Sequence, residues 1–577
     1  MIDFYALLSN GITAALENEG SIDWFPCPRY DSPSIFSKIL DKNGGSFTIR
    51  PLIEYFYKKE YVGNSLILKS EFKVKDGKRL QLIDFLPLSL PAIIRIYDSE
   101  IPFYAEVNPL FEYSLIKPGV QFLESGIIFT NPRSREGVEV LLNGSYTFEE
   151  NKIIFNPGKG FLYLLYSKDL RYGLFSKKGF VYSRPYEALD KALRYWDSQI
   201  SKAKKIQNFE KEYYRSLTVI LGLTYNPSGG VIASPTTSLP EIVGKERNWD
   251  YRYVWVRDAS YSAEALIRSG LYIRGRDILS FLTSMIDPSS KSFDHPFYSI
   301  DGTAPPAEEE LTWLEGYKHS KPVRIGNGAY MQVQSDIEGA YMHGLYTYYK
   351  ETKDEGFIKD VWWAVDAIAN WVKNSWKDKS TDIWEQRGIY EHFVHTKVMD
   401  WVAVDRASKL AEMLGIETDW KKIADEIKED VLANGYSEKT KSFVRYYGSE
   451  EVDAALLTLP LYNFISVNDP RFISTLQRIE KELSVSNSLL LRYKDDFLGE
   501  VSNPFTLVST WLARVYIRLG KIDYAKNIIN NLIECSTDLG LIAEHYERDT
   551  CYPMGNFPHL FPHSGLILAL IELEEIK

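Results

Sequence analysis

The spacing of apolar residues changes once along this chain, and that change limits what it can fold into. Over residues 1 to 185 the spacing is that of strands. Glu71-Phe72-Lys73-Val74-Lys75 alternates polar and apolar, Asp76-Gly77 supplies a tight turn, and Leu80 to Leu86 is the return run. A second pair of strands is expected to flank Asn143-Gly144, after Val138 to Leu142. Ile153 to Phe155 and Phe161 to Tyr166 follow, separated by Asn156-Pro157-Gly158. Many short strands at this spacing predict an antiparallel sandwich.

From residue 186 the spacing becomes helical. Leu189 to Ile200 and Phe209 to Leu221 are expected as helices, and Ile358, Val361, Trp362, Val365, Ile368, Ala369 and Val372 fall on one helical face. Gly270, Gly356, Gly415 and Gly520 serve as stop signals, because glycine tolerates the left-handed conformation that closes a helix. New amphipathic segments follow, among them Trp420 to Leu432 and Asp523 to Ile533. A helix with its loop takes roughly 25 to 30 residues, so the stretch from 209 to 577 holds about 12 to 14 helices, enough for six hairpins. The connecting loops are long and rich in Trp, Gly and charge, which favours a closed toroid over an open solenoid. The expectation is a β-sandwich over 1–185, a helical linker over 186–208 and an (α/α)6 barrel over 209–577.

Composition excludes several classes of function. A net charge of −11 leaves no electrostatic footprint for nucleic acid or an anionic membrane. No apolar run reaches the length of a membrane span, and Met1-Ile2-Asp3-Phe4-Tyr5 lacks the basic flank of a secretory signal. With only Cys27, Cys535 and Cys551, no disulfide framework is expected. The reading is a soluble cytoplasmic protein without cofactor or metal, compatible with a homo-oligomer. Aromatic residues make up 14% of the chain; their flat faces suit pyranose rings as well as protein cores.

Three clusters could carry chemistry. Asn248-Trp249-Asp250-Tyr251-Arg252-Tyr253-Val254-Trp255-Val256-Arg257-Asp258 concentrates rings, Arg and Asp as a sugar subsite would. It equally fits an Arg–Asp pair capping the helix that starts near Ala259. Asp382-Ile383-Trp384-Glu385-Gln386-Arg387-Gly388 places a carboxyl beside an indole, which would raise its pKa by desolvation, and beside Arg387, which would lower it. Taken alone, Glu385 also fits a surface or capping carboxylate. Glu544 follows the apolar run Leu541-Ile542-Ala543, close to a core element, with His545 and His563 nearby but without metal-ligand spacing. The loops Ala233 to Pro240 and Pro322 to Asn327, the latter leading to Gln332 and Gln334, carry no phosphate-binding motif.

Taken together, these segments resemble glycoside hydrolase family 15, the glucoamylase-like enzymes, in its prokaryotic two-domain form. The resemblance begins at Gly11-Ile12-Thr13-Ala14-Ala15-Leu16, Gly20 to Trp24 and Pro28 to Pro33. It continues through Pro235 to Pro240, Asn248 to Asp258, Pro322 to Asn327, Trp384 to Gly388 and Glu544 to His563. It implies a β-sandwich, a helical linker and an (α/α)6 barrel, and inverting hydrolysis that releases β-glucose from the non-reducing end of an α-glucoside. Carried over by residue, Glu385 is the general acid and Glu544 the general base. Tyr251, Trp255, Arg257 and Asp258 hold the terminal glucose, Trp384 lines the subsite, and Arg324 contacts the next sugar. The expected substrates are maltooligosaccharides or dextrins; the alternative is trehalase, with the same carboxylates and room for two glucose units. A sugar sensor would lack a carboxylate and a phosphorylase would need a phosphate site. Ile300-Asp301-Gly302-Thr303 and His559, which stands where Gln is expected, depart from the family pattern.

Overall fold

The computed structural model describes residues 2–173, 184–485, 489–496 and 498–576. Between Ala6 and Ser167 the chain forms two antiparallel sheets of seven and eight strands. The expected hairpin across Asp76-Gly77 joins Leu68–Lys73 to Arg79–Phe85, with Phe72 opposite Leu80. The expected pairing across Asn143-Gly144 does not occur. Gly137–Asn143 belongs to the eight-stranded sheet, whereas Tyr146–Glu149 pairs with Lys152–Phe155 in the other. The chain changes sheets at a glycine that a close approach requires: φ is 129°, and a Cβ on Gly144 would lie 1.9 Å from the Tyr97 hydroxyl. Arg95, wholly buried, donates to both oxygens of Asp84 at 2.9 Å and to the carbonyls of Phe47 and Gly20, so its charge is fully partnered.

The linker helix α1 (Pro185–Ile200) leads to the helical domain. Its outer helices are α2 (Glu210–Gly222), α4 (Tyr272–Ser284), α6 (Trp362–Ser375), α8 (Trp420–Asn434), α10 (Pro470–Leu483) and α12 (Ile522–Glu534). The inner ones are α3 (Val256–Arg268), α5 (Asp336–Thr352), α7 (Val394–Leu414), the segment 454–461 with its short helix α9 (Thr458–Leu461), α11 (Thr506–Arg518) and α13 (Leu560–Glu575). Each inner element packs on the next, and α13 returns to α3, so the ring is closed. The sequence explains the two layers. In α10 only Phe472, Thr475, Leu476, Ile479 and Leu483 are buried, a single stripe at helical spacing, whereas α13 is buried all round from Leu560 to Leu573.

The apolar face from Ile358 to Val372 lies on two helices rather than one, since the backbone breaks at Val361 between Glu355–Asp360 and α6. Gly270, Gly415 and Gly520 follow helix ends with positive φ as expected, but Gly356 lies inside the short helix, and Lys353 (φ 57°) closes α5 instead.

All six inner elements start at the same mouth of the barrel. At the opposite end their last turns gather Arg268, Arg514 and Arg518 around the Glu572 carboxylate. A cavity of about 1090 Å³ lies at this base, among charges that are mutually paired. Close backbone contact between inner helices depends on glycine: a Cβ on Gly339 of α5 would stand 2.3 Å from the Met399 carbonyl oxygen of α7. Gly339→Ala is therefore expected to cost about 1–3 kcal/mol, the usual range for overpacking, read as a lowered denaturation midpoint at unchanged slope.

Candidate active site

The cluster 248–258 divides into two halves. Asp250 and Arg252, both fully buried, form a bidentate pair, and Arg252 extends to the Ser32 carbonyl at 2.8 Å and the Tyr113 hydroxyl at 2.8 Å, which docks the barrel on the sandwich. Tyr251, Trp255, Arg257 and Asp258 instead line a cavity of about 470 Å³ at the barrel mouth, together with Trp384, Glu385, Arg492, Phe505, Glu544, His559 and Phe561. The Arg–Asp pair exists but does not cap α3, whose N-cap Trp255 makes no side-chain cap hydrogen bond, and the residues expected at a sugar subsite are the ones that face the cavity. A second cavity of about 490 Å³ adjoins it and shares Tyr251, Trp384, Glu385 and Arg492, with Glu241, Trp249, Arg387 and Asp496 on its outer side. Of the residues expected at the site, Arg324 lines neither cavity. Its guanidinium donates to the carbonyls of Glu246 and Asn248 and stacks on Trp249 at 4.9 Å, so it is spent on supporting that indole. Arg387 lies over the same ring at 4.8 Å and takes the place in the wall.

Glu385 sits in a loop with φ 61° and is held through a single oxygen. Its Oε1 accepts from Trp255 Nε1 (2.7 Å), Arg257 (3.0 Å) and Gln334 Nε2 (3.2 Å). Arg257 in turn donates to Asp336 and to Gln334, both at 3.0 Å. Burial pushes the Glu385 carboxyl up, and the pull of Arg257 and of the two neutral donors does not cancel it. The direction left open by the sequence is thus upward. Asp258, buried beside Arg257 in the first turn of α3, is pushed up to about 8, again by burial.

Glu544 is set differently. Its Oε1 accepts from the Tyr251 hydroxyl at 2.9 Å, and Oε2 from the backbone N–H of Asn556 at 3.2 Å. Burial alone would raise this carboxyl, but His545, whose Nε2 lies 3.6 Å from Oε1, together with His559 and Arg492, outweighs it and holds the group well below the usual carboxylate range. Gly555 (φ 72°) makes the fit possible, because a Cβ there would stand 2.4 Å from Glu544 Oε2. Glu241, Glu544 and His545 have ligand atoms within 4.8 Å of one another, but Glu241 is already engaged by Arg492 at 2.8 Å and by Trp249 Nε1 at 3.1 Å. The triad is therefore electrostatically satisfied by an arginine.

Gln334 was noted only as the end of a loop, and Phe505 and Arg492 escaped the sequence. Arg492 ends the apolar run Leu489-Leu490-Leu491, the same pattern that marked Glu544, and lines both cavities. One expectation is reversed: Cys535 and Cys551 form a disulfide. Their 16-residue separation spans the Glu544 loop, and the pairing follows from the hairpin of His545–Tyr546 with Pro553–Met554, a contact that cysteine spacing cannot reveal.

A ring of inner helices opening on a cavity lined by two differently tuned carboxyls is an architecture suited to cleaving glycosidic bonds. The chain belongs to that class by sequence as well: residues 207–570 match the profile of glycosyl hydrolases family 15, and this protein is a member of that family. Residues 1–124 match a trehalase-like N-terminal domain. Over 99% of this chain and 100% of the other it is 59% identical to Trehalase 2 of Sulfolobus acidocaldarius. Trehalase 1 of the same organism is 42% identical over 99% of this chain and 98% of its own. A bacterial glucoamylase solved in complex with acarbose superposes with a TM-score of 0.76 over 100% of this chain and 94% of the other, at 14% identity, which bears on the fold.

Opening the disulfide by Cys551→Ser is expected to cost about 3 kcal/mol, the chain-entropy value for a loop of roughly this size. Calorimetry of the variant beside the reduced wild type checks it.

Proposed function

We infer that this protein hydrolyses α,α-trehalose to two glucose molecules with inversion at the attacked carbon. The observation that carries the reading is the asymmetry of the two carboxyls facing one cavity. Glu385 is pushed up and, among the described residues, bonded only through Oε1, which suits a proton on Oε2. Glu544 is held down, which suits a base. Water attacks C1 of the glucosyl unit in the inner cavity and gives its proton to Glu544. The C1–O bond breaks, and the leaving oxygen takes the Glu385 proton. The inner unit departs as β-glucose and the unit in the outer cavity as α-glucose. Tyr251, Trp255, Arg257, Asp258 and Trp384 would hold the inner unit, with Arg492 at the junction.

Trehalose replaces the maltooligosaccharide expectation on the strength of the relatives, two full-length trehalases at 59% and 42% identity, and of the trehalase-like N-terminal match. Two adjoining cavities of similar size also fit a substrate of two sugar units.

Proton NMR of a fresh trehalose digest is expected to give α- and β-glucose in equal amounts before mutarotation. Early α-glucose alone means retention and removes both assignments; rapid turnover of maltotriose with trehalose left intact returns the substrate to the glucoamylase type. Glu385→Gln and Glu544→Gln are each expected to lower kcat by about 10²–10⁴-fold. Activity should span the interval between the lowered pKa of Glu544 and the raised pKa of Glu385. Tyr251→Phe removes a donor that favours ionised Glu544, so its pKa rises and the acidic limb of the kcat profile moves to higher pH, with kcat down about tenfold.

A further inference from the structure

His559 is fixed at every atom but one. Its backbone N–H donates to the Ile542 carbonyl at 3.0 Å, next to the Glu544 loop. Its Nδ1 accepts from the backbone N–H of Phe561 at 3.2 Å, capping α13. The ring stands edge-on to Tyr251 at 5.4 Å and against Phe561 at 6.1 Å, and the residue is 2% exposed. A ring nitrogen that accepts from an N–H carries no proton, so in the neutral imidazole the proton is on Nε2. Burial holds the ring neutral, with its pKa lowered to about 4 against the pull of Glu544. Among the described residues Nε2 has no protein partner, and it is not among the sealed, unpaired atoms of the interior, while the ring lines the inner cavity. A rigid hydrogen-bond donor is therefore presented to that cavity on the side of Glu544 and Tyr251.

We propose that His559 is a specificity residue whose Nε2–H donates to one ring hydroxyl of the glucosyl unit in the inner cavity. The proposal rests on the assignment of that cavity to a glucosyl unit and not on the identity of the second sugar. A cap and a donor are separable here. Asparagine reproduces Nδ1 as the acceptor of a helix cap but does not reach as far as Nε2. Glutamine places its amide nitrogen near Nε2 and loses the cap geometry.

The experiment is calorimetric titration of wild type, His559→Asn and His559→Gln with D-glucose and its 2-, 3-, 4- and 6-deoxy forms. Wild type is expected to bind one deoxy form about 3- to 10-fold more weakly through this contact, the loss of one neutral hydrogen bond. His559→Asn should keep its Tm, bind glucose weaker by that same factor and no longer penalise that deoxy form. His559→Gln should restore the penalty with a lowered Tm. Undiminished discrimination in His559→Asn, or absence of glucose binding by wild type, overturns the proposal. If His559→Asn does not fold, loss of the penalty in a folded His559→Gln overturns it and its retention supports it. Should the deoxy pattern hold while trehalose is not cleaved, the substrate reading fails and the role of His559 stands.

Discussion

The guanidinium of Arg257 is the contact on which the mouth of the barrel is organised. It is buried in the first turn of α3, where an unpaired charge would be costly, and it draws partners from three places in the sequence: Asp336 at the start of α5, Gln334 just before it, and Glu385. One cation thus ties two inner helices together and fixes one oxygen of a carboxylate. Trp255 adds a neutral donor to that same oxygen. What would otherwise be a loop carboxylate with conformational freedom becomes a group with one oxygen tied and one free.

The second carboxylate is tuned by opposite means in an equally buried setting. Two groups sealed in similar surroundings would titrate together; here the difference comes from what touches them. Glu385 meets a guanidinium shared with a competing carboxylate, while Glu544 meets a tyrosine hydroxyl, a backbone amide and nearby imidazoles. Division of one cation between Asp336 and Glu385 weakens its hold on each, so burial prevails at Glu385. Helix starts contribute to the same mouth, since their exposed amides favour negative charge.

Much of this was legible in the chain. The switch of period near residue 186 gave the two architectures, and the density of rings and charges from Asn248 to Asp258 marked a site. Glu385 and Glu544 could be named, but their pKa directions could not, because those depend on Gln334, Asp336, Tyr251 and His545 arriving from distant positions. Arg324 shows the converse: a residue of the right type in the right loop is consumed by two backbone carbonyls and an indole. The Asn143-Gly144 step reads locally as a hairpin and is a crossing between sheets, since nothing within the segment reports that Tyr97 approaches from the other strand. The disulfide was hidden for the same reason. Substrate class lay beyond local pattern altogether, because two cavities of this size can be lined by many sequences.

Closure of the inner ring joins α3 to α13, segments separated by about half the chain, and α13 is also the helix on which α2 rests. Contacts of such long range are slow to form. During synthesis the wall between α3 and α11 stays open until α13, which begins just after His559, has been made. The nascent chain therefore displays the sandwich and most of the barrel with an unfilled slot along its axis. The inner cavity and the hydrophobic ring thus depend on the same last helix, and a chain lacking α13 would expose the apolar flanks of α2, α3 and α11.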